Sequence, residues 1–517
     1  MRRANIVVLL LVIASIGHAQ TPTADPSLDR LAEAANAIGG NQFAHAEELL
    51  NSVLATSPND ADALNLLGVV RAKQNRIADA ERLFRRAISS LQSHVGAHIN
   101  LAELLISHDR SEEAMPILLR AHKLAPSRPE INLSLANLYV TKSNYAQAYE
   151  HLRLISPDAF NDRYFVLMLR SLLGLQRTQE LRELVTQFRQ TNSADAETQA
   201  EFATLLVKAG FHDDALIILN AARQTSPAFP ILYALGIANL AVKQYDKAQE
   251  SLTSALALQP DDVATLRALA RVARATGNFE KALSHLIQAR RVAPNSPAVL
   301  YEFGTTTLEM GLVLDALPVF EQLHRDYPRE PAYLYGLAAA HWKKGDVGET
   351  TRLMNSFILL QPRSPSGWYL LGASLLRQEK TSEAKAALER SLSLKVDPDT
   401  QYLLGVIFEK SGNRNSASEM FRKVVQSSPN HAAAHAALGT AYREAGNYAD
   451  AQTELERAVK LDASDLRANY QLGLVYAKLG QKEAAQKMFD RAEELRKRHR
   501  EQETVILKLI DEPAPQP

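Results

Sequence analysis

Three arginines stand at positions that share one face of a helix. Arg267, Arg271 and Arg274 are separated by four and then three residues, a spacing that places side chains on the same side of an α-helix. No acidic residue stands at the intervening i+3 or i+4 positions to relieve their repulsion. Three guanidinium groups on one face suit an acidic peptide or a carboxylate. The alternative interpretation is a solvated basic face without a ligand.

Two histidine pairs have a spacing that could bind a transition metal. His94 and His98 are four residues apart, as are His431 and His435, and i, i+4 histidines on a helix can share a metal ion. Neither pair has a carboxylate between or beside it to act as a third ligand. The sequence therefore predicts ordinary surface histidines and no metal site.

Motifs for nucleophilic or phosphate chemistry are absent or explained by position. Ser382 and Lys385 match a Ser-x-x-Lys pattern, but they fall where a helix is predicted to begin and are interpreted as its N-terminal region. The sequence has no Gly-rich phosphate loop, no His-Glu-x-x-His motif and no Gly-x-Ser-x-Gly motif. We expect no enzyme activity and no cofactor.

Composition excludes further classes of function. The 517 residues include 58 Lys+Arg and 58 Asp+Glu, for a formal net charge of +0, whereas nucleic-acid binders usually carry a basic excess. Cysteine is absent, which rules out disulfides, thiolate metal sites and cysteine nucleophiles. The length exceeds what one hydrophobic core usually supports, so several domains or a repeat array are expected.

Residues 1–19 are predicted to be a secretory signal peptide. Arg2 and Arg3 precede an apolar run from Ile6 to Ile16, and Gly17-His18-Ala19 fits a cleavage site. The run is shorter than the roughly 20 residues that span a bilayer. We expect export to the periplasm or the outside of the cell, with residues 20–26 as a flexible leader and no membrane span after cleavage. The alternative is an N-terminal membrane anchor.

The rest of the chain repeats one unit of 33 or 34 residues. Residues 432–465 show it most clearly, with two short amphipathic helical patterns separated by Gly446-Asn447. Each copy can be aligned on a small residue late in its first helix, called the anchor here. The anchors are Ala34, Gly68, Ala102, Ala136, Ala203, Gly236, Ala270, Gly304, Ala338, Gly372, Gly405, Gly439 and Gly473. The step from Ala136 to Ala203 equals two repeats, so about 14 units are predicted.

Other columns of the alignment agree with this register. A small residue usually stands 12 positions after the anchor, and leucine, phenylalanine or methionine stands 16 positions after it. Prolines recur 24 positions after the anchor, where the second helix is expected to stop. These prolines are Pro58, Pro126, Pro227, Pro260, Pro294, Pro328, Pro362 and Pro429.

This pattern resembles the tetratricopeptide repeat family, a 34-residue helix-turn-helix motif with small residues at fixed positions. The resemblance implies an all-α fold, an α-solenoid in which antiparallel helix pairs stack into a right-handed superhelix. It also implies that the first helices line a concave groove. The predicted divisions are repeats 1–4 in residues 27–156, repeats 6–14 with a capping helix in 196–498, and a helix end with a disordered tail in 499–517.

Residues 157–195 fit the repeat least well. They still show two helical patterns, but the alanine column fails there. A distorted repeat is the favoured interpretation because the spacing stays in phase, and a hinge between two sub-arrays is the alternative.

The resemblance also implies which residues face the groove. In the family, these are the residue three before the anchor and those one and four after it. In this chain the columns contain Tyr233, Arg267, Arg271, Arg274, Tyr301, Tyr335, Trp342, Tyr369 and Tyr402. Tyrosine and arginine suit peptide recognition, so these residues are predicted to bind a partner. The alternative is that the tyrosines pack against neighbouring helices.

The predicted function is a non-catalytic scaffold that binds partner proteins or peptides in its groove. The alternative is an accessory factor for the assembly or export of polysaccharide or the cell envelope.

Overall fold

The computed structural model describes residues 26–191 and 195–498. The predicted signal peptide, most of the predicted leader and the predicted tail in 499–517 lie outside these ranges. Within them the chain forms 28 α-helices and one 3-10 turn, Pro157–Ala159, and no strand. No helix in the two described ranges is long and apolar enough to cross a bilayer.

The chain divides into two compact units, and the boundary falls between Leu258 and Gln259. Unit 1 contains α1 (Pro26–Gly39), α2 (Phe43–Thr56), α3 (Ala61–Lys73), α4 (Ile77–Ser90), α5 (Val95–Ser107), α6 (Ser111–Leu124), α7 (Pro129–Thr141), α8 (Tyr145–Leu152), α9 (Asp162–Gly174), α10 (Thr178–Gln190), α11 (Ala196–Lys208), α12 (His212–Thr225), α13 (Phe229–Ala241) and α14 (Tyr245–Leu258).

Unit 2 contains the remaining helices. They are α15 (Val263–Ala275), α16 (Phe279–Val292), α17 (Pro297–Glu309), α18 (Val313–Asp326), α19 (Pro331–Lys344), α20 (Val347–Leu360), α21 (Pro365–Arg377), α22 (Thr381–Leu394), α23 (Pro398–Lys410), α24 (Arg414–Ser427), α25 (Ala432–Glu444), α26 (Tyr448–Leu461), α27 (Leu466–Lys478) and α28 (Lys482–Arg498). Odd-numbered helices are the first helices of repeats and even-numbered helices are the second helices.

Each helix pair is joined by a turn with one residue in the left-handed conformation. Such a residue lets the last turn of the first helix satisfy its carbonyl groups while the chain reverses. The 14 positions with positive φ are Asn41, Asn75, Asp109, Ser143, Gln176, Gly210, Lys243, Gly277, Gly311, Gly345, Glu379, Gly412, Gly446 and Gly480. They recur every 33 or 34 residues, so each of the 14 helix pairs in the described ranges contains the same turn.

The predicted prolines mark the ends of second helices. For example, α2 ends at Thr56, two residues before Pro58, and α20 ends at Leu360, two residues before Pro362. The same two-residue offset holds for every proline in the column. Because proline disfavours helical conformation in the residue before it, the column helps to end these second helices.

Close contact between paired helices depends on the anchor. A Cβ atom added to Gly304 would lie 2.8 Å from the ring of Phe320, which stands 16 positions later and is fully buried. Gly68 has the same relation to Phe84, at 2.5 Å. The small anchor therefore makes room for the large side chain of the second helix, which packs over the backbone of the first.

The helix pair α9 and α10 has a large residue at the anchor position and is therefore packed differently. Leu169 and Val185 stand in the anchor column and the column 16 positions later, and both are buried. A large anchor is accompanied by a smaller partner, and Phe188 stacks on Phe202 at 4.0 Å between ring centroids. Residues 157–195 thus contain a helix pair with altered packing. The alternative of a hinge stays a prediction.

Within each unit the first helices lie on the inner side. First helices of successive repeats contact one another, as α3 and α5 do in unit 1 and α17 and α19 do in unit 2. Second helices instead pack on the first helices before and after them. The predicted all-α solenoid of about 14 repeats is confirmed for the described ranges, and its superhelical handedness stays a prediction.

Candidate partner-binding surface

The tyrosine column lies on the first helices, and most of it is buried. Tyr301, Tyr335 and Tyr369 are buried, whereas Tyr233 and Tyr402 are half-buried. Some of the rings contact the second helix of the same repeat: Tyr301 lies 6.1 Å from Phe320 and Tyr402 lies 5.8 Å from Phe421, measured between ring centroids. These contacts support the packing interpretation for part of each ring, and the predicted role in binding stays a prediction.

Burial also affects the protonation of two tyrosines in this part of unit 2. It raises the pKa of Tyr369 far above the usual range for a phenol, and the nearby carboxylates of Asp399 and Asp397 raise it further. The pKa of Tyr333, which packs against Tyr301, is raised to about 12, chiefly by burial. Tyr369 and Tyr333 therefore remain neutral and keep their hydroxyl protons at physiological pH.

Trp342 contacts the following repeat. Its indole is buried, and the guanidinium of Arg377 lies 4.7 Å from the ring centroid. A cation at this distance from an indole face is attracted by the ring quadrupole. Because Arg377 belongs to α21 and Trp342 to α19, the contact joins successive first helices.

Two of the three arginines on α15 are paired with glutamates of the next first helix. Arg267 donates from Nε and Nη2 to Glu302, at 3.1 and 2.9 Å. Arg274 donates in the same way to Glu309, at 3.0 and 2.6 Å. Both pairs have the two-pronged geometry that makes arginine–carboxylate pairs strong. The expected repulsion among the three arginines is therefore relieved for two of them by carboxylates that come from α17 rather than from α15.

The sequence contained a signal for these pairs. Glu302 follows Arg267 by 35 residues, and Glu309 follows Arg274 by the same interval. That interval is one repeat plus one position, which brings the side chains together across adjacent first helices. These pairs are not evident when ion pairs are considered only within one helix.

Arg271 is the remaining cation of this group. It is exposed between the two arginine–glutamate pairs and forms no ion pair with any described residue. The predicted three-arginine site is therefore reduced to a single available guanidinium, held on a helix that two flanking ion pairs fix in place.

Unit 1 carries a different set of links on its first helices. The amide of Asn100 donates to Asn65 at 2.9 Å, and Ser134 donates to the carboxylate of Glu103. All four side chains are buried. Successive first helices in this part of unit 1 are thus joined by hydrogen bonds between small polar groups, without aromatic or arginine contacts of the kind found in unit 2.

The histidine pair in α5 is not on the surface, so that prediction is wrong. Nδ1 of His94 accepts a hydrogen bond from the backbone N–H of Ala97 at 3.0 Å, and Nε2 lies 3.1 Å from Asp62. The histidine therefore caps the start of α5, a role usually taken by serine, threonine, aspartate or asparagine. The hydrogen bond from His94 lowers the pKa of Asp62. His98 is buried beside it.

The second pair repeats this arrangement. Nδ1 of His431 accepts from the N–H of Ala434 at 3.1 Å at the start of α25, and His435 is buried with Nδ1 2.6 Å from Glu454. These histidines cap or pack against helices. Among the described residues no group of three or more histidines, cysteines, aspartates or glutamates is placed to hold a metal ion.

The Ser-x-x-Lys pattern lies in the first turn of α22. Ser382 is exposed, and the ammonium group of Lys385 lies 3.7 Å from Glu389 and 5.1 Å from the ring centroid of Phe408. The lysine is engaged by an acidic group and an aromatic ring rather than by the serine. The arrangement fits the predicted start of a helix.

Four family models match the chain. Those described as tetratricopeptide repeat match residues 31–94, 70–129, 239–301, 301–349, 365–396, 402–451 and 466–499, and a model described as TPR repeat matches residues 439–480. The chain belongs to the tetratricopeptide repeat family. The matched ranges leave out residues 130–238, which contain the altered pair α9 and α10.

Similar proteins share parts of this repeat array. Cellulose synthase operon protein C of Xanthomonas axonopodis pv. citri (strain 306) is 26% identical over 280 residues, which are 50% of this chain and 18% of that protein. Protein O-mannosyl-transferase TMTC3 of Homo sapiens is 24% identical over 129 residues, 24% of this chain and 14% of that protein. The chain thus matches less than a fifth of the length of either relative.

A solved structure with a related arrangement of helices is that of the APC/C hetero-tetramer Cut9-Hcn1. It covers 92% of this chain and 95% of the chain compared, with 16% sequence identity and a TM-score of 0.46.

Proposed function

We propose that this tetratricopeptide repeat protein is a non-catalytic scaffold that binds partner polypeptides along the first helices of unit 2. One observation supports this most: helix pairs joined by the same kind of turn account for both described ranges. The array offers an extended surface on which a partner can lie, since each repeat contributes one first helix to it.

The proposed contact surface is centred on α15 to α23. Arg271 supplies an exposed guanidinium, and the half-buried ring of Tyr402 supplies an aromatic contact with a hydroxyl group. The buried members of the column, among them Tyr335 and Trp342, support this surface from within. Arginine and tyrosine are the residue types that contribute most to binding energy in protein interfaces.

The test begins with purification of the full chain from its native organism and identification of bound proteins by mass spectrometry. The affinity of the recovered partner is then measured for wild type, for Arg271→Glu and for Arg422→Glu. Arg422 is exposed on α24, a second helix, so its variant has the same charge change away from the inner side. We expect Arg271→Glu to weaken binding at least tenfold, about 1.4 kcal/mol, and Arg422→Glu to have little effect. Equal affinity for wild type and Arg271→Glu would show that the surface is wrongly assigned.

A second candidate is an accessory role in the assembly or export of polysaccharide or the cell envelope. The match to a protein named for a cellulose synthase operon supports it. Direct stacking on sugar rings has less support, because Tyr335, Trp342 and Tyr369 are buried. Titration of the full chain with cello-oligosaccharides, followed by tryptophan fluorescence, tests sugar contact. An unchanged spectrum would leave only a role through protein partners.

Export is part of the same proposal, and residues 1–19 are its signal peptide. Cell fractionation with N-terminal sequencing of the mature chain tests it. A protein recovered from the cytoplasm with Met1 intact would contradict it.

A further inference from the structure

A groove on the outer side of unit 2 departs from the rest of the array. It lies between the second helices α16 and α18 and has a volume of about 470 Å³. Its apolar part is formed by Leu283, Ile287, Phe303 and Leu312, and we call it the α16–α18 groove. Ile287 is 55% exposed and Leu312 is 38% exposed. Large aliphatic side chains at this exposure on an outer face need an explanation.

The repeats themselves show that this apolar surface is a local exception. Ile287 stands 17 positions after its anchor, where the other repeats carry mostly polar or charged residues. These residues are Asn51, Arg85, Leu119, Arg153, Asn220, Thr253, Glu321, Asn355, Glu389, Arg422, Glu456 and Asp490. Since the backbone is the same in each repeat, packing within the array does not require an isoleucine at this position.

Leu312 shows the same departure from its own column. It occupies the N-cap position of α18 and provides no side-chain hydrogen bond. Second helices elsewhere have mostly polar residues there, including Asn144, Asn278, Asp346, Asn413 and Asn447. The side chains of Asn144, Asn278, Asp346 and Asn413 accept a hydrogen bond at the start of their helices, which leucine cannot do. Two positions later Leu314 is 82% exposed, in a column with no other leucine. Large aliphatic residues from three columns that are otherwise mostly polar or small therefore lie at or beside one groove.

The α16–α18 groove has charged residues of opposite sign at its two ends. Arg290 and Arg291 line it at the C-terminal end of α16, and neither forms an ion pair with a described residue. The guanidinium of Arg290 lies 5.0 Å from the ring centroid of Phe303. Asp315 lines the groove in the first turn of α18. Because successive second helices run in the same direction, the basic and acidic groups lie at opposite ends.

We propose that the α16–α18 groove binds an amphipathic helix of a partner protein, with aliphatic side chains on its apolar face and carboxylates at the end above Arg290 and Arg291. Two parallel helices with a trough between them accept a third helix by packing of side-chain ridges into the groove. The unpaired arginines select the acidic end, and Asp315 disfavours the same charge at the other end. This site is on the side opposite the proposed inner binding surface and does not depend on it.

The experiment uses a fluorescein-labelled model helix of about 18 residues, long enough to be helical in water. Leucines form one face and glutamates occupy one end, and a second probe has lysines in place of the glutamates. Fluorescence anisotropy measures binding to the full chain and to Ile287→Glu and Arg291→Glu. Leu119→Glu is the matched control, because Leu119 stands in the same column on α6 and is 37% exposed. Circular dichroism checks that each variant is folded.

We expect the acidic probe to bind wild type saturably and the lysine probe to bind at least tenfold more weakly. Ile287→Glu should weaken the acidic probe at least tenfold, Arg291→Glu should reduce the preference between the probes, and Leu119→Glu should change neither. Failure of wild type to bind the acidic probe, or equal losses in Ile287→Glu and Leu119→Glu, would overturn the proposal. Sedimentation that shows self-association of wild type, lost in Ile287→Glu, would also overturn it, since the occupant would then be a second copy of this chain.

Discussion

The left-handed residue between paired helices is glycine in one of the seven turns of unit 1 and in six of the seven turns of unit 2. The conformation is the same in both units, with φ between 56° and 62° for the non-glycine residues and between 76° and 86° for the glycines. A residue with a side chain pays an energy cost in this region, of roughly 1–2 kcal/mol for most types. Gln176 and Lys243 nevertheless adopt this left-handed conformation. The packing of the helices therefore imposes the turn, and glycine only makes it less costly.

Some links on the inner sides of the units differ as well, although unit 1 also has an arginine–glutamate pair, Arg170–Glu201, between α9 and α11. Unit 1 joins α3 to α5 and α5 to α7 through buried asparagine, serine and glutamate. Unit 2 joins α15 to α17 through two-pronged arginine–glutamate pairs and joins α19 to α21 through Trp342 and Arg377. Substitutions can separate the contribution of the shared helix packing to stability from that of these links. Hydrogen exchange with mass spectrometry on the full chain reports the local stability of each unit individually.

The largest effect is expected where the units are alike. Phe84→Ala in unit 1 and Phe320→Ala in unit 2 each remove a fully buried ring that packs on an anchor glycine. Each should destabilise its own unit by about 3–5 kcal/mol through lost burial and a residual cavity. Hydrogen exchange should show the loss in the substituted unit. A loss in only one of the two variants would show that the anchor packing is not a common rule.

The links on the inner side should give the next largest effect. Ser134→Ala leaves the buried carboxylate of Glu103 without its donor, and Arg274→Met leaves Glu309 without its partner. We expect losses of about 1–3 kcal/mol for each. Added salt should weaken the arginine link and leave the serine link unchanged, because only the former is an ion pair. Urea unfolding at low and high salt measures this difference, and the same salt response in both variants would contradict it.

Exchanging turn residues between the units should give smaller, opposite effects. Gly345→Ala places a side chain at φ +86° and should destabilise unit 2 by about 1 kcal/mol. Lys243→Gly removes strain in unit 1 but increases the entropy of the unfolded chain, so a gain of less than about 1 kcal/mol is expected. Thermal unfolding followed by circular dichroism measures both. A destabilised Lys243→Gly variant would mean that the interactions of the lysine side chain stabilise unit 1 by more than its backbone strain destabilises it.

A further effect is expected only at acidic pH. Burial lowers the pKa of His151 to about 4, and the neighbouring His122 lowers it further in the same direction. In the unfolded chain histidine has a pKa of about 6.5, so the unfolded state binds more protons between these values. Stability should therefore fall as the pH drops from about 6.5 towards 4. His285, in the same column of unit 2, also has its pKa lowered by burial.

His151→Phe removes the titrating group from unit 1 and leaves His285 in place. Urea midpoints followed between pH 7 and pH 4 should fall less steeply for this variant than for wild type. His285→Phe is the matched variant in unit 2, and hydrogen exchange at both pH values should assign each change to its own unit. Equal slopes for wild type and His151→Phe would show that this histidine does not contribute to the pH dependence.

Much of the fold could be predicted because each repeat solves the same local problem. The proline column fixed the ends of second helices at positions such as Thr56 and Leu360, since proline acts on the residues next to it whatever the wider context. The pairing of Gly304 with Phe320 also follows from sequence, because a missing side chain and a large one recur at a constant interval.

The candidate sites were less predictable because they depend on neighbours from other repeats. Arg274 looked unpaired on its own helix, and Glu309 reaches it only once α15 and α17 are adjacent. His94 looked exposed until its position at the start of α5 made it a cap. The α16–α18 groove was also missed. Ile287 and Leu312 belong to different helices, and each is unremarkable until compared with its own column across the repeats.

The regular return of the turn every 33 or 34 residues has a mechanical consequence. Helices in each unit make their main contacts with helices one or two places away along the chain, so pulling on the array would detach one helix pair without disturbing distant ones. Each released repeat adds an extended length of about 110–120 Å, at about 3.3–3.6 Å per residue. Under tension the protein should lengthen in steps of nearly equal size, one for each repeat that unfolds. The force needed to unfold α9 and α10 should differ most from that of the other pairs.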